Sequence, residues 1–376
     1  MDKTQTPACR RLVVKFGTTL LTGGGDHLDT DTMSRLVAQV AKLHKEGLEV
    51  VIVTSGAVAA GRLRLGIKGK VKGVPYKQML ASVGQSRLMS VYEKLFDEHG
   101  ITVAQALLTK RDLSDRAGYL NARNTLMALL ERRVVPIINE NDVVSADEMH
   151  DAKFGDNDNL SAMVANLVDA DWLILLSDID GLYTSDPRRY PDARLIPEVA
   201  KIDSEIEKLA SGTQSEESIG GMVTKIEAAR FATACGITVL IANGRTPDIL
   251  PKLIAKDAIC TSFLPATSRL ESRKRWMLSG LSIKGTLTVD DGAATALVKQ
   301  KRSLLPSGVR EVSGSFQQGD IVNICDLKGN RLGSGIANYG AEDIEKIKGR
   351  HSTEIVELLG YDFGAEVVHR NNLVII

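Results

Sequence analysis

The chain has 376 residues, 43% hydrophobic and 25% charged, and its 47 Lys plus Arg offset 47 Asp plus Glu to a formal net charge of zero. That length exceeds one ordinary compact unit and predicts about two domains, while the balanced charge excludes an overall attraction to nucleic acid or anionic lipid and leaves only local patches. The longest apolar stretches, such as Trp172–Leu176, are strand-length and fall far below the roughly 20 residues of a membrane span, so no membrane partner is expected.

In chain order, Leu12–Lys15 reads as a strand and Asp31–Glu46 as a helix capped by Thr30 or Asp31 and ended by Gly47. Glu49–Thr54 is a second strand, breaking at Ser55-Gly56. Tyr76–Glu98 is helical, Thr102–Leu107 a strand, Asn121–Arg132 helical and Val134–Asn139 extended. Asn159–Val168 is a helix, Trp172–Leu176 a strand, Gly221–Cys235 a helix and Thr238–Ala242 a strand. Strands this apolar, alternating with helices, predict an α/β fold with a mainly parallel open sheet sandwiched by helices. Ligands in such folds gather at the carboxyl ends of the strands. After about Arg275 the rhythm changes to short strands, at Gly285–Val289, Gly319–Cys325 and Glu366–Val368, with helices only at Ala341–Lys348 and His351–Leu359. The reading is therefore a domain over 1–265, a polar linker over 266–282 and a smaller β-rich domain over 283–376. Met1–Arg11 carries no apolar signal-peptide core, so the cytoplasm is expected. Cys9, Cys235, Cys260 and Cys325 lie far apart, form no CxxC pair and no short-spaced set with the six His, and read as reduced, mostly buried thiols rather than zinc ligands.

Four strand ends carry chemistry. Lys15-Phe16-Gly17-Thr18-Thr19 brings a cation and backbone N–H groups to one spot, which suits phosphate oxygens; taken alone it reads first as an ordinary turn with a solvated Lys, and it is not the GxxxxGK[ST] loop, which occurs nowhere in the chain. Thr54-Ser55-Gly56-Ala57-Val58-Ala59-Ala60-Gly61-Arg62 offers the Ser55 hydroxyl and small residues that admit a substrate, or that merely allow close packing. Asn139-Glu140-Asn141-Asp142 and Lys153-Phe154-Gly155-Asp156-Asn157-Asp158-Asn159 form a dense set of donors and acceptors. Such a set fits a zwitterionic amino acid, Mg²⁺ waters or the orientation of a lysine, with an Asx-rich helix cap as the plainer alternative. The last is Ser177-Asp178 with Gly220-Gly221-Met222-Val223-Thr224-Lys225, where the glycine pair opens a helix whose N–H groups would face phosphates, or where a flexible loop merely carries a surface Lys.

Phosphoryl transfer from ATP needs positive charge on the β- and γ-oxygens and in-line positioning. A carboxylate acceptor is already ionised and needs no general base, so the main obstacle is repulsion between two anions. Two lysines and Mg²⁺ answer that obstacle. The nucleophile–base constellation of a hydrolase and the HRD element of a protein kinase are absent from the sequence, and without HRD a protein-kinase catalytic loop is not encoded.

The series Lys15-Phe16-Gly17-Thr18, Thr54 to Arg62, Val83-Gly84-Gln85-Ser86, Leu120-Asn121-Ala122-Arg123-Asn124-Thr125, Asn139 to Asp142, Gly155 to Ser161 and Gly220-Gly221-Met222 runs in the order seen in the glutamate 5-kinases. The chain resembles that branch of the amino-acid-kinase family over almost its whole length. The resemblance implies ATP-dependent phosphorylation of the γ-carboxylate of L-glutamate to L-glutamyl 5-phosphate, the first step of proline synthesis. It implies that Lys15 and Lys225 stabilise the transferring phosphoryl group and that Asp158, with Asp156 as a second candidate, organises them. Ser55, Asp142 and Asn157 match glutamate-binding positions, with Asn139 and Lys153 contributing. Lys15, Ser177, Asp178, Ile219, Gly220, Gly221, Met222, Val223, Thr224 and Lys225 match the ATP-binding positions. Mg²⁺ dependence, a homo-oligomer (dimer or tetramer) and inhibition by proline follow from the same resemblance. The chain departs from the family at Ile219, where Thr is usual, and places Glu216-Glu217-Ser218 before it, which removes a hydroxyl and adds negative charge.

The segment from about Ile283 to Leu359 resembles a PUA domain, with Val289-Asp290-Asp291-Gly292-Ala293 followed by Ser303-Leu304-Leu305-Pro306-Ser307-Gly308-Val309. Its basic residues are matched by acidic ones, and Phe316, Tyr339, Tyr361 and Phe363 are scattered in sequence. The only basic run is Lys299 to Arg302. These features favour a structural or regulatory role over RNA binding. Two other readings compete: a related kinase with another acceptor, and an RNA-binding protein whose kinase-like domain is inactive.

Overall fold

Eight β-branched segments pair into one sheet: β1 (Arg11–Phe16), β2 (Glu49–Val53), β3 (Val103–Leu108), β4 (Val135–Glu140), β5 (Trp172–Ser177), β6 (Glu198–Val199), β7 (Thr238–Asn243) and β8 (Cys260–Phe263), in the order β3-β4-β2-β1-β5-β7-β8-β6. This is a computed structural model describing residues 9–67, 73–145, 157–211, 221–265 and 283–375. From β3 to β7 all neighbours are parallel, as their uninterrupted apolar runs require. Only β8 turns antiparallel, on β7. The central strand β1 sets Lys15 level with Val53 on one side and Leu175 on the other.

The period-two alternation of β1 sorts its residues by face. Leu12, Val14 and Phe16 join a core with Leu36, Val37 and Val40 of helix Thr30–Lys45 and Leu88, Tyr92 and Phe96 of helix Val74–Asp97. Lys15 falls on the opposite face and is nevertheless 1% exposed.

Several boundaries differ from the sequence reading. Helix Thr30–Lys45 is capped by Asp29, not by Thr30 or Asp31, because Asp29 has an extended backbone and its carboxylate accepts from the Thr32 N–H at 3.0 Å. The helix expected from Asn121 begins at Arg116, and the one expected from Asn159 begins at Asn157. Helix Ala57–Leu65 packs on Val74–Asp97 through two glycines. A Cβ on Gly61 would sit 1.9 Å from the Leu80 carbonyl oxygen, and one on Gly84 would sit 1.8 Å from that of Ala57.

The chain divides into two compact units, Met1–Leu113 with Arg123–Ser268 and Ser114–Ala122 with Arg269–Ile376. The second holds a five-stranded sheet of β9 (Gly285–Val289), β10 (Val309–Gly314), β11 (Ile321–Cys325), β12 (Arg331–Ile336) and β13 (Leu373–Ile375), in the order β10-β9-β11-β12-β13. Its core gathers Leu287, Val322, Ile324, Tyr339, Ile344 and Val367, and Leu120 buries against Ile336 and Val374. Glu366–Val368 is not a strand: it makes only an isolated bridge from Val368 to Leu304. His351–Leu359 splits into a 3-10 turn, Ser352–Glu354, and a short helix, Ile355–Leu359. Phe316 is buried, and the other aromatics are scattered only in sequence, since Phe363 lies 5.7 Å from Tyr339 and 5.1 Å from Tyr361 between ring centres. All four cysteines are free and only partly buried. Among the described residues no helix is long and apolar enough to cross a membrane. The expected linker, 266–282, lies outside the described residues.

Candidate active site

Three side chains distant in sequence meet on the face of β1 that carries Lys15. Asp158 is the second residue of helix Asn157–Leu167 and is wholly buried. Lys15 Nζ lies 2.8 Å from Asp158 Oδ1, and Lys225 Nζ donates to Oδ2 at 3.0 Å. Lys225 comes from helix Gly221–Ala234, whose Thr224 hydroxyl also donates to Oδ2 at 3.0 Å. Lys225 further donates to the Gly221 carbonyl oxygen at 3.2 Å, which ties it to the helix start. Burial by itself would raise the Asp158 carboxyl, but Lys15 and Lys225 outweigh it and hold the group well below the usual carboxylate range. The cluster is therefore two ammonium groups on one carboxylate, a buried excess of one positive charge. The missing Gly17 side chain keeps space beside it: a Cβ there would lie 3.6 Å from Lys15 Nζ.

Beside this triad lies an amide cluster. Asn157 Nδ2 donates to the Thr54 carbonyl oxygen at 2.6 Å and lies 3.1 Å from Ser55 Oγ and 3.0 Å from Asn139 Oδ1. Asn139 Nδ2 donates in turn to Gln85 Oε1 at 2.8 Å. The strand ends of β2 and β4 and the start of helix Asn157–Leu167 thus bring Ser55, Asn139 and Asn157 together. Beneath them the Thr54 and Tyr92 hydroxyls hydrogen-bond at 2.7 Å. Close packing is one use of the small residues after β2. Ser55 faces the amides, whereas Gly61 serves helix packing.

Asp142 sits in the turn after β4, and no hydrogen bond among the described residues links it to the amides. Burial, then the neighbouring Glu140 charge, pushes its carboxyl up to about 6. After β5, Ser177 Oγ donates to Asp178 Oδ1 at 3.2 Å, and Arg188 Nη2 donates to Asp178 Oδ2 at 2.6 Å. Burial opposes ionisation of Asp178, while its own backbone N–H and Arg188 prevail and lower it. Gly221, Met222 and Val223 open the helix that carries Lys225. Asp156, Lys153, Ile219 and Gly220, with Glu216-Glu217-Ser218, lie outside the described residues. Gln85, Tyr92 and Arg188 carried no assignment in the sequence reading. Gln85 stood in a quoted motif without a role, and Tyr92 and Arg188 left no signal, since nothing in spacing marks a residue that supports a strand end from another element. Among the described residues no three His, Cys, Asp or Glu side chains gather as a metal-ligating set.

Residues 10–243 match the amino acid kinase family and residues 285–359 match the PUA domain. The chain is 56% identical over 367 residues to the glutamate 5-kinase of Dehalococcoides mccartyi, spanning 98% of this chain and 98% of that protein. It is 48% identical to that of Geobacter sulfurreducens, again over 98% of each chain, and 47% identical to that of Photobacterium profundum, over 100% of this chain and 98% of the other. With matches of this identity and extent, the chain belongs to the amino acid kinase family, in the branch of the glutamate 5-kinases.

Proposed function

We propose that the protein phosphorylates the γ-carboxylate of L-glutamate with ATP, giving L-glutamyl 5-phosphate and ADP, the step that commits glutamate to proline synthesis. The observation that carries this reading is the convergence of Lys15 and Lys225 on Asp158, read with the names of the full-length relatives. A γ-carboxylate oxygen attacks the γ-phosphorus while the bond from that phosphorus to the bridging oxygen of ADP breaks. No proton has to leave the nucleophile. The barrier is repulsion between the carboxylate and the triphosphate, and buried ammonium groups weaken it because little water screens them. Asp158 holds the two lysines apart, one on each oxygen, and its single charge leaves them a net positive excess for the phosphoryl oxygens. Ser55, Asn139, Asn157 and Asp142 hold the amino acid, with Lys153 contributing. Ser177, Asp178 and the stretch Ile219 to Lys225 hold the nucleotide, and Asp156 seconds Asp158.

Mg²⁺ supplies further neutralisation of the β- and γ-oxygens when it is bound with ATP. The donors that fit it here are the phosphate oxygens and water, the usual habit of this ion beside nucleotides, because both Asp158 oxygens already face ammonium groups. The proposal extends to inhibition by proline at the glutamate site, to a homo-oligomer (dimer or tetramer) and to the cytoplasm. It assigns the C-terminal unit a structural or regulatory role, since its exposed Tyr361 is hydrogen-bonded to the Asp343 carboxylate and its Tyr339 is buried.

The test is acyl phosphate formation, trapped as the hydroxamate, with ATP, Mg²⁺ and a panel of acceptors. Turnover of aspartate but not glutamate rejects the acceptor. Absence of any ATP turnover, with salt-dependent RNA binding that survives Lys225→Ala, rejects the kinase itself in favour of an RNA-binding protein.

A further inference from the structure

A single carbonyl orients the amide cluster beside Ser55. The Thr54 carbonyl oxygen can only accept, so Asn157 must turn Nδ2 toward it. The same nitrogen faces Asn139 Oδ1, which turns Asn139 Nδ2 toward Gln85 Oε1. Exchanging nitrogen and oxygen in any one of these amides would set two donors or two acceptors face to face, so all three orientations are fixed from the carbonyl outward. What remains is one donor, Gln85 Nε2, and one acceptor, Asn157 Oδ1. Both atoms are buried and neither has a hydrogen-bond partner. A buried polar atom left unpaired is destabilising, and two of them at the ends of one relay mark a place prepared for a polar ligand.

The two ends differ in position. Asn157 adjoins Asp158 and hence the ammonium groups of Lys15 and Lys225, whereas Gln85 stands two side chains farther along the relay. A glutamate with its γ-carboxylate at the lysines presents its α-carboxylate toward that far end. Resting on the function proposed above, we propose that Gln85 is a specificity-determining residue whose Nε2 donates a hydrogen bond to the α-carboxylate of the bound amino acid. The residue lies on helix Val74–Asp97, and that helix is locked to its neighbour by the Gly61 and Gly84 backbone approaches. The donor is thereby held on a rigid element rather than on a loop.

Gln85→Glu isolates the atom in question. A glutamate there still accepts from Asn139, so the relay survives, but the free donor becomes an anionic acceptor. The measurements are kcat and KM for L-glutamate, and the inhibition constant of L-glutamate α-amide against it, for the unmodified protein and the variant. We expect KM for glutamate to rise on the order of 10- to 100-fold with a much smaller change in kcat, and affinity for the α-amide to fall far less. An unchanged KM overturns the assignment. Equal losses for glutamate and its α-amide also overturn it, since they show that Gln85 only positions Asn139. Gln85→Ala is the control without added charge, and a folded Gln85→Ala with unchanged KM gives the same refutation. Failure of the unmodified protein to phosphorylate glutamate would sink the underlying function instead, and it is read before any variant is made.

Discussion

Replacing Asp158 by Asn keeps the size and shape of the side chain and removes only its charge, which makes it the sharpest test of the buried triad. Each ammonium group lies within 3.0 Å of a carboxylate oxygen. At an effective dielectric constant of about 20, each pair at that distance is worth roughly 5 kcal/mol of attraction. Relief from burying the carboxylate offsets part of the loss, so removing this partner should destabilise the fold by about 3–5 kcal/mol, the range for a broken buried pair. For a domain of this size that corresponds to a fall in Tm of roughly 6–20 °C, read by calorimetry. Because the Asp158 carboxyl is held below its unfolded value, its contribution is complete at neutral pH and is lost only as pH falls through the folded-state value. The gap between variant and unmodified protein should therefore close in strong acid. Turnover should drop on the order of 10²- to 10³-fold, since the two lysines lose the group that spaces them. A non-hydrolysable ATP analogue should raise the variant's Tm more than that of the unmodified protein, because its phosphates restore an anionic partner. A variant with the melting temperature and turnover of the unmodified protein would refute the idea that the triad is a coupled electrostatic unit.

Lys15→Ala and Lys225→Ala should each lower kcat far more than they raise KM for glutamate, because their charge matters most during transfer; steady-state kinetics check this, and turnover like that of the unmodified protein removes either residue from the transfer step. The Asp142 carboxyl sits at about 6, so its charged form predominates above that pH and is lost below it. kcat/KM for glutamate should fall as pH drops through that point, by about tenfold per unit well below it. Asp142→Asn should raise KM at neutral pH and flatten that part of the profile, and an unaltered profile counts against Asp142 as a glutamate-binding residue. Gly84→Ala would drive a methyl group to 1.8 Å from the Ala57 carbonyl oxygen, so it should cost about 3 kcal/mol or more; a denaturation midpoint equal to that of the unmodified protein contradicts the close helix approach.

The parallel sheet was legible because its strands are buried on both faces and read as plain apolar runs bounded by helix periodicity. Element ends were less so. Asp29 out-competes Thr30 and Asp31 as the cap through backbone geometry that no residue type announces, and Glu366–Val368 looks like a strand yet finds only one bridging partner. In the C-terminal unit, Tyr339 lies far from Tyr361 and Phe363 in sequence, and folding brings the three tilted rings into one cluster.

For the site, the chemical inventory was legible in the residues: Lys15 and Lys225 near glycines, Asn139 at a strand end, Asn157 and Asp158 at a helix start. Each sits at a strand or helix end, where local pattern is strongest. That these ends converge, with Asp158 between the two lysines and Gln85 closing the amide relay from a separate helix, emerges with the assembled fold. The reason is physical. Periodicity and turn chemistry act over a few neighbouring residues, whereas charge pairing and hydrogen-bond direction are settled by groups that approach only when the sheet has assembled.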